Sequence, residues 1–301
     1  MSTMPGLASL SVVIITRARS AQCRRLCAAI DEQLIQHPGI SAEVILVFDG
    51  CKEYDWVTQA QKYCTVRLAE RSGIAVARSA GIEHSRSPVV AFLDDDAVPA
   101  ATWVSSLLSG IANYPDRLAF GGRVAGRSQA NLYSQLRDAV YYLETFGPWY
   151  VSEDRGPDSL GTPYVNGGNS AYRRTALEAS GGFNQALPAY SDVDLGRRLK
   201  LEENGVLLTG MSILHDHPDT FWKYLSRCFR SGKARALIWK CAGSREHSPT
   251  SALSAVLLNI AWKNYVRARR LSRHRVKAVA VLFCQEVAHG FGYVASLARG
   301  R

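Results

Sequence analysis

Short apolar runs that stop on acidic residues constrain this chain more than any other feature. Val44-Ile45-Leu46-Val47-Phe48 ends on Asp49-Gly50, and Val89-Val90-Ala91-Phe92-Leu93 ends on Asp94-Asp95-Asp96. Leu10–Ile15 is a third mostly apolar run, ending on Thr16-Arg17, and Val66-Arg67-Leu68 is a shorter strand candidate. Runs this short and apolar read as strands buried on both faces, as in a parallel sheet. Between them apolar residues recur at helical spacing. Cys23, Leu26/Cys27, Ile30 and Leu34 follow Ser20, a candidate N-cap; Ile74, Ala77 and Gly81 mark a second helix face; residues 100–112 form a third helix. Alternating β-α-β-α predicts an α/β fold with helices on both sheet faces. Ligands of such sheets bind beyond the carboxyl ends of the strands, where Asp49 and Asp94–Asp96 fall.

After residue 120 the pattern changes. Residues 124–162 read as irregular, with a helix around 131–146. Residues 163–215 read as a Gly-rich turn, a short helix from Arg173, a helix from Asp192 and a strand over 205–214. The predicted division is one domain over 1–218 and a basic helical region over 219–301. Charge marks the same boundary: residues 1–218 carry 20 Lys/Arg against 23 Asp/Glu, whereas 219–301 carry 16 against 3. An anionic partner is therefore expected for the C-terminal quarter. The apolar stretches 252–262 and 279–283 flank seven cations between Lys263 and Lys277. They read either as interfacial helices on an anionic membrane surface or as a basic hairpin packed on the rest of the chain. Seven scattered cysteines without zinc spacing predict a reduced, cytoplasmic protein. Met1–Pro5 lacks a basic n-region, and no run of ~20 uninterrupted apolar residues occurs, so neither a signal peptide nor a membrane-spanning helix is expected.

Three consecutive aspartates repel one another unless a cation sits among them. Side chains alternate along an extended segment, so Asp94 and Asp96 share a face and Asp95 points away. Two carboxylates on one face suit a hard divalent cation whose shell is completed by substrate phosphates; a solvated acidic turn is the plain alternative. Arg71 and Arg78 can clamp a diphosphate or simply cover a surface helix. Gly167-Gly168 permits close backbone approach to a ligand, or marks an ordinary loop-to-helix junction. Ser191 or Asp192 can cap the helix that follows, and acids favour that end of its dipole; a carboxylate held there can also act as a general base. His215 and His217, two apart after a strand, read as structural histidines or as metal or phosphate contacts.

Taken in order, these segments resemble the family 2 glycosyltransferases of the GT-A fold, over about residues 10–235. Ile15-Thr16-Arg17-Ala18-Arg19 stands where that family usually has Pro-Thr-Tyr-Asn-Arg. Thr16 and Arg19 match, and Arg17 replaces a tyrosine that lines the nucleobase pocket, where it can stack instead. Phe48-Asp49-Gly50-Cys51 resembles Asp-Asp-Gly-Ser, which puts Asp49 at the nucleobase. Gly73 and Ala77–Gly81 resemble the segment lining the nucleotide. Asp94-Asp95-Asp96 resembles the Asp-x-Asp motif, whose first acid approaches the ribose and last the metal. Gly167-Gly168-Asn169, Arg173-Arg174 and Gly181-Gly182-Phe183-Asn184 resemble the acceptor-side segment. Ser191-Asp192 stands for Glu-Asp, with Asp192 at the catalytic base and Ser191 at a position tied to the acceptor. His215 matches a histidine that touches metal or diphosphate.

The resemblance implies a GT-A-type, mixed but mostly parallel sheet flanked by helices, with a C-terminal basic helical extension. Residues 1–122 would be the nucleotide-sugar-binding half and 123–218 the acceptor half. The implied enzyme is an inverting, metal-dependent hexosyltransferase using Mg²⁺ or Mn²⁺. It would move sugar from a nucleoside-diphosphate sugar, with UDP-sugar favoured, to a hydroxyl of a glycan, lipid-linked or natural-product acceptor. Thr16, Arg19, Asp49, Arg71, Arg78, Asp94 and Asp95 would frame the donor, and Asp96 and His215 the metal. Gly167, Gly168, Asn169 and Ser191 would face the acceptor, with Asp192 as the base. The expected location is cytoplasmic, peripheral on the inner membrane face.

Two other classes compete. A nucleotidyltransferase needs a Gly-rich basic loop after its first strand, and Thr16–Gln22 contains no glycine. A sugar-nucleotide-binding protein without transferase activity fits the departures at the tyrosine, asparagine and glutamate positions. The basic C-terminal quarter would also suit a nucleic-acid binder, but the chain has no P-loop or nucleic-acid motif, so no such partner is expected.

Overall fold

The computed structural model describes residues 9–128, 131–137, 158–241 and 275–298. The chain forms two compact units, Met1–Ala125 with Ser152–His215 and Gly126–Val151 with Asp216–Arg301. The C-terminal part of the second unit thus begins three residues before the sequence-based boundary, and the unit also takes in a stretch from the middle of the chain.

The first unit runs β1 (Ser9–Thr16), α1 (Ser20–Ile35), β2 (Ser41–Asp49), α2 (Asp55–Ala60), β3 (Cys64–Leu68), α3 (Ile74–His84) and β4 (Val89–Asp94). It continues through β5 (Val98–Pro99), α4 (Trp103–Asn113), β6 (Ala119–Gly121), β7 (Val124–Gly126), β8 (Ser159–Leu160) and β9 (Asn169–Arg173). Helices Arg174–Ser180, Ser191–Arg198 and Leu201–Asn204 follow, with β10 (Gly205–Leu207) and β11 (Ile213–His215). The large sheet has the order β3-β2-β1-β4-β9-β6-β10-β8, and β5-β11-β7 form a small second sheet. The first four strands of that order are parallel, and β9 is antiparallel to both β4 and β6. The apolar runs account for the parallel half, and the whole is the mixed, mostly parallel α/β sheet that the family resemblance implies.

Register levels the strand ends. Ile15 lies opposite Asp94 and Thr16 opposite Phe48, so β1, β2 and β4 deliver their last residues to one edge. Behind that edge Phe92, Tyr172 and Phe183 meet edge-to-face, with centroids 5.3–6.1 Å apart, all buried. Removing one such ring, as in Phe92→Ala, costs about 3–5 kcal/mol. The helix face marked by Gly81 is explained by contact: a Cβ there would lie 2.3 Å from Val13 Cγ1, so α3 sits directly on β1.

Three local expectations are corrected, and one helix, α2, had none. Ser20 does not cap α1. It is the first helical residue, Arg19 holds the N-cap position, and the Ser20 hydroxyl instead accepts from Trp56 Nε1 at 3.0 Å. Helix α2 carries too short a periodic signal to be read from sequence. The polar stretch read as a turn at Asn169 is the central strand β9. The single strand read over 205–214 is two, broken at Leu208–Ser212, and its halves enter different sheets.

In the second unit, residues 132–137 are helical; the rest of the helix expected around 131–146 lies outside the described residues, apart from Asn131. Helices Phe221–Cys241 and Arg275–Ala298 pack side by side over Leu136, Tyr224, Ala278, Val281 and Leu282. Their backbones approach closely because Gly232 and Gly292 have no side chain: added Cβ atoms would meet the carbonyl oxygens of His289 and Phe229. The opposite side of the last helix is apolar and exposed, with Val279, Phe283, Val287, Phe291 and Val294 at helical spacing. Its span Lys277–Ser296 is long and apolar enough by composition to cross a membrane, with 28% of it buried in the structure. The sequence rule of an uninterrupted apolar run passes over this helix because Gln285, Glu286 and His289 interrupt it. Residues 252–262 and most of the cation-rich stretch after Lys263 lie outside the described residues.

Candidate active site

The aspartates at the end of β4 are held by residues from distant places in the chain. Asp95 turns toward the end of β1, where it accepts from the Thr16 hydroxyl at 2.7 Å and from Arg17 N–H at 3.1 Å. Asp94 and Asp96 face His215 at the end of β11, whose Nε2 lies 3.1 Å from Asp96 Oδ1 and 3.7 Å from Asp94 Oδ2. Asp94 is the last residue of β4, and Asp95-Asp96 lie in a turn closed by Ala97 N–H donating to Asp94 O at 3.0 Å, so this turn, and not the alternation expected of an extended segment, separates Asp95 from the other two. Arg19 spans the cluster, with its Nε 3.0 Å from Asp95 Oδ1 and its Nη1 on Asp96 Oδ2.

Charge within this cluster is mutually adjusted. Burial works to lower the His215 pKa, but hydrogen bonds and charge from Asp94 and Asp96 raise it to about 9. Burial would raise Asp94 and Asp96, yet His215 hydrogen-bonds to both, and both fall below the ordinary carboxylate range. Asp95 is raised, because its burial outweighs the Thr16 hydrogen bond and the Arg19 charge. The carboxylates thus face an imidazolium and a guanidinium.

Arg78 and the glycine turn complete the wall. Arg78, on α3, is 5% exposed, lies over the Phe183 ring at 5.3 Å and reaches Asp94 only at 3.7 Å. Its Nε has no hydrogen-bond partner among the described residues. A buried guanidinium so loosely satisfied suits an anionic ligand. Gly167 and Gly168 are glycines because side chains lie against their backbone. A Cβ on Gly167 would sit 2.3 Å from Arg78 Nη1, and one on Gly168 would sit 2.5 Å from Asp94 Oδ2.

Asp192, in the first turn of helix Ser191–Arg198, is held against the glycine turn. Its Oδ2 accepts from Gly167 N–H at 2.9 Å, and it does not cap its helix: Tyr190 holds the N-cap position in a left-handed conformation, φ 60°. Asp194, one turn-position on, has a different fate. It is buried and paired with Arg198 at 2.8 Å, while Arg198 also donates to the carbonyls of Ser180 and Gly182.

Other expected site residues are placed elsewhere. Asn169 is fully buried and spent on the fold: it accepts from Trp103 Nε1 at 2.7 Å and donates to Met211 O at 2.8 Å and Arg123 O at 3.3 Å. Ser191 is likewise fully buried. Arg71 is exposed, with its backbone against Gly50. Asp49 is shielded and engaged by Arg17 and Ser72 N–H. His217 belongs to the second unit, beside Gly126 and Ser134. Sequence reasoning missed Tyr54, whose hydroxyl is 2.6 Å from Thr16 Oγ1 and whose pKa burial pushes up to about 12. It also missed Tyr172, raised by burial and by the Asp192 charge. Tyr54 lies in no motif, and Tyr172 sits unmarked between Asn169 and Arg173; the ring contacts of Tyr54 with Phe48 and Trp56 are visible only in the structure.

A sequence model described as Glycosyl transferase family 2 matches residues 11–181. The chain belongs to glycosyl transferase family 2. It is a glycosyltransferase with the GT-A fold. A Glucosyl-dolichyl phosphate glucuronosyltransferase of Haloferax volcanii is 24% identical over 289 residues, covering 85% of this chain and 86% of that protein. A Pre-mycofactocin glycosyltransferase of Mycobacterium tuberculosis is 26% identical over 250 residues, covering 77% of this chain; the match spans 48% of that longer protein. Among solved structures, the mannosyltransferase PcManGT from Pyrobaculum calidifontis, in complex with GDP-Man and Mn²⁺, superposes with a TM-score of 0.58. That match is 18% identical and covers 97% of this chain and 79% of that one, which supports the fold.

The donor set suits a divalent metal completed by substrate. Among the described residues no three His, Cys, Asp or Glu side chains form a ready metal cage. Asp96 offers an oxygen on one side of the cluster, and His215 would offer a nitrogen there once a metal displaces its Nε2 proton. Mg²⁺ and Mn²⁺ accept such partial sets when phosphate oxygens fill the remaining positions.

Proposed function

We propose that this family 2 enzyme moves a hexosyl group from a nucleoside-diphosphate sugar to a hydroxyl acceptor in one inverting displacement. The observation that carries this reading is the Asp192 carboxylate, held by Gly167 N–H on the turn that lies against Arg78 and Asp94. Asp192 takes the proton of the acceptor hydroxyl as its oxygen attacks the anomeric carbon. The bond to the diphosphate breaks as the new bond forms, so no second carboxylate is needed as nucleophile. Arg78 and Arg19 supply guanidinium donors for the diphosphate, and Thr16 and Asp95 fix the strand end that carries Arg19. Mg²⁺ or Mn²⁺ held by Asp96 and His215 would neutralise charge on the departing diphosphate. Uridine is the base favoured by family resemblance, and guanosine is the second candidate because the superposed mannosyltransferase was solved with GDP-Man.

The proposal extends to a peripheral enzyme on the cytoplasmic face of a membrane, acting on a lipid-linked acceptor. Its supports are the exposed stripe on helix Arg275–Ala298, where Phe283 and Phe291 are 67% and 69% exposed, and the charge of residues 219–301. The Haloferax volcanii relative is named for a dolichyl phosphate substrate.

Asp192→Asn tests the chemistry. The substitution keeps size and a hydrogen-bond acceptor for Gly167 N–H but cannot take a proton. Folding and nucleotide binding stay near wild type, and sugar transfer falls by a factor on the order of 100 or more. Wild-type transfer by this variant would reduce Asp192 to a structural acceptor.

A further inference from the structure

Asp49 is where family resemblance puts the nucleobase contact, yet its side chain has no solvent exposure. Its Oδ2 faces Arg17 Nε at 2.7 Å and Nη2 at 2.5 Å, and its Oδ1 accepts from Ser72 N–H at 2.7 Å. These donors take most of the about four lone-pair positions a carboxylate offers. The Arg17 side chain, by contrast, is 31% exposed, and its fork of N–H groups extends beyond the two nitrogens that face Asp49.

Placement agrees with this division. Arg17 follows β1 and Asp49 ends β2, level with each other because Thr16 lies opposite Phe48. They stand at the carboxyl edge, where sheets of this kind take nucleotides. The next residue, Ala18, is left-handed at φ 60°. Around that residue the chain delivers Arg17 to Asp49 and Arg19 to Asp95 and Asp96. A strained non-glycine turn persists where its surroundings fix it, commonly at binding sites.

We propose that Arg17, rather than Asp49, reads the base of the donor nucleotide. It selects a base that presents a carbonyl oxygen, uracil or guanine, over adenine. Asp49 is a positioning residue that locks the guanidinium in orientation. A guanidinium only donates, so it satisfies a carbonyl oxygen; the amino group of adenine would set N–H against N–H. This inference rests on the nucleoside-diphosphate reading above and names the residue that discriminates within it.

Calorimetric titration with Mn²⁺ present tests it, using UDP, GDP and ADP as probes and inorganic pyrophosphate as the base-free reference. Wild-type protein binds UDP or GDP about tenfold or more tighter than ADP. Arg17→Met loses about tenfold for the preferred nucleotide, reaching ADP-like affinity, while pyrophosphate binding is unchanged. Arg17→Lys keeps a cation beside Asp49 and so protects the fold. It also loses the preference, because an ammonium cannot hold Asp49 and a base edge in one fixed fork. Unchanged or tighter UDP and GDP binding by both variants would overturn the proposal and return base reading to an uncovered Asp49. Equal wild-type affinity for all three nucleotides would overturn it as well. Absence of any binding, pyrophosphate included, would instead remove the nucleoside-diphosphate reading beneath it.

Discussion

The carboxyl edge of the sheet and the last helix handle side-chain burial in opposite ways. At the edge, Asp94–Asp96, Arg19 and His215 lie within 3.7 Å of their partners; Asp95 and Asp96 are buried, Asp94 and His215 partly so, and Arg19 reaches in from the surface. On helix Arg275–Ala298, one apolar face is covered by helix Phe221–Cys241 and the other is open to water. Shielded charge is costly unless paired, so a shielded ionic cluster marks a place where a charged ligand can exchange for an internal partner. Open apolar surface forgoes about 25 cal/mol per Å², so a long stripe of it marks a place where water is to be excluded. The two features therefore point to different kinds of partner, an ionic small molecule and an apolar surface.

The same contrast recurs within one helical turn. Asp194 is a structural acid, buried on Arg198, and Asp192 is a poised one, held by a single backbone N–H besides its own neighbour Val193. Asp194→Ala should lower unfolding free energy by about 2 kcal/mol in urea titration, because it removes the buried carboxylate that pairs with the part-buried Arg198. Asp192→Ala should cost about 1 kcal/mol. Reversed values would break the distinction between the two acids.

Gly168→Ala comes next in size. Its Cβ would press on the Asp94 carboxylate, and overpacking of this kind costs about 1–3 kcal/mol, seen as a lower Tm. If Tm does not move, Asp94 is not fixed against the turn. Asp96→Ala should weaken Mn²⁺-dependent UDP binding about tenfold or more, whereas Asp95→Ala, turned toward Thr16, should change it only about threefold. Chelation of Mn²⁺ should erase that difference. Equal losses for the two variants would remove the separation of roles along the strand end.

The smallest effect on the fold is expected on the helix. Replacing Phe283 and Phe291 together by Ser should shift stability by only about 0.5 kcal/mol per site, since both are exposed. Co-sedimentation with anionic vesicles should nevertheless fall about tenfold. Full-length protein that ignores anionic vesicles at low salt would leave the stripe without a lipid partner and turn the acceptor question toward soluble glycans.

How much of this was legible in the sequence depends on the range of the interaction. The strands β1, β2 and β4, the helices α1, α3 and α4, and the placing of Asp49 and Asp94–Asp96 at strand ends follow from local pattern, because burial on both faces demands unbroken apolar runs. Strand β9 did not follow. Asn169-Ser170-Ala171-Tyr172-Arg173 is polar by composition and becomes a central strand only because β4 and β6 pair with it and Trp103, Arg123 and Met211 satisfy Asn169. The acids were visible as a motif, but their division of labour was not. Asp95 is turned to Thr16, Asp96 to His215 and Arg19, and Asp49 is closed off by Arg17 through contacts spanning many tens of residues. Sequence alone determined where charge and apolar surface would concentrate, since periodicity is a local property of the chain. Which charges face one another, and which of them a ligand can reach, was decided by the register of the strands and the turns that join them.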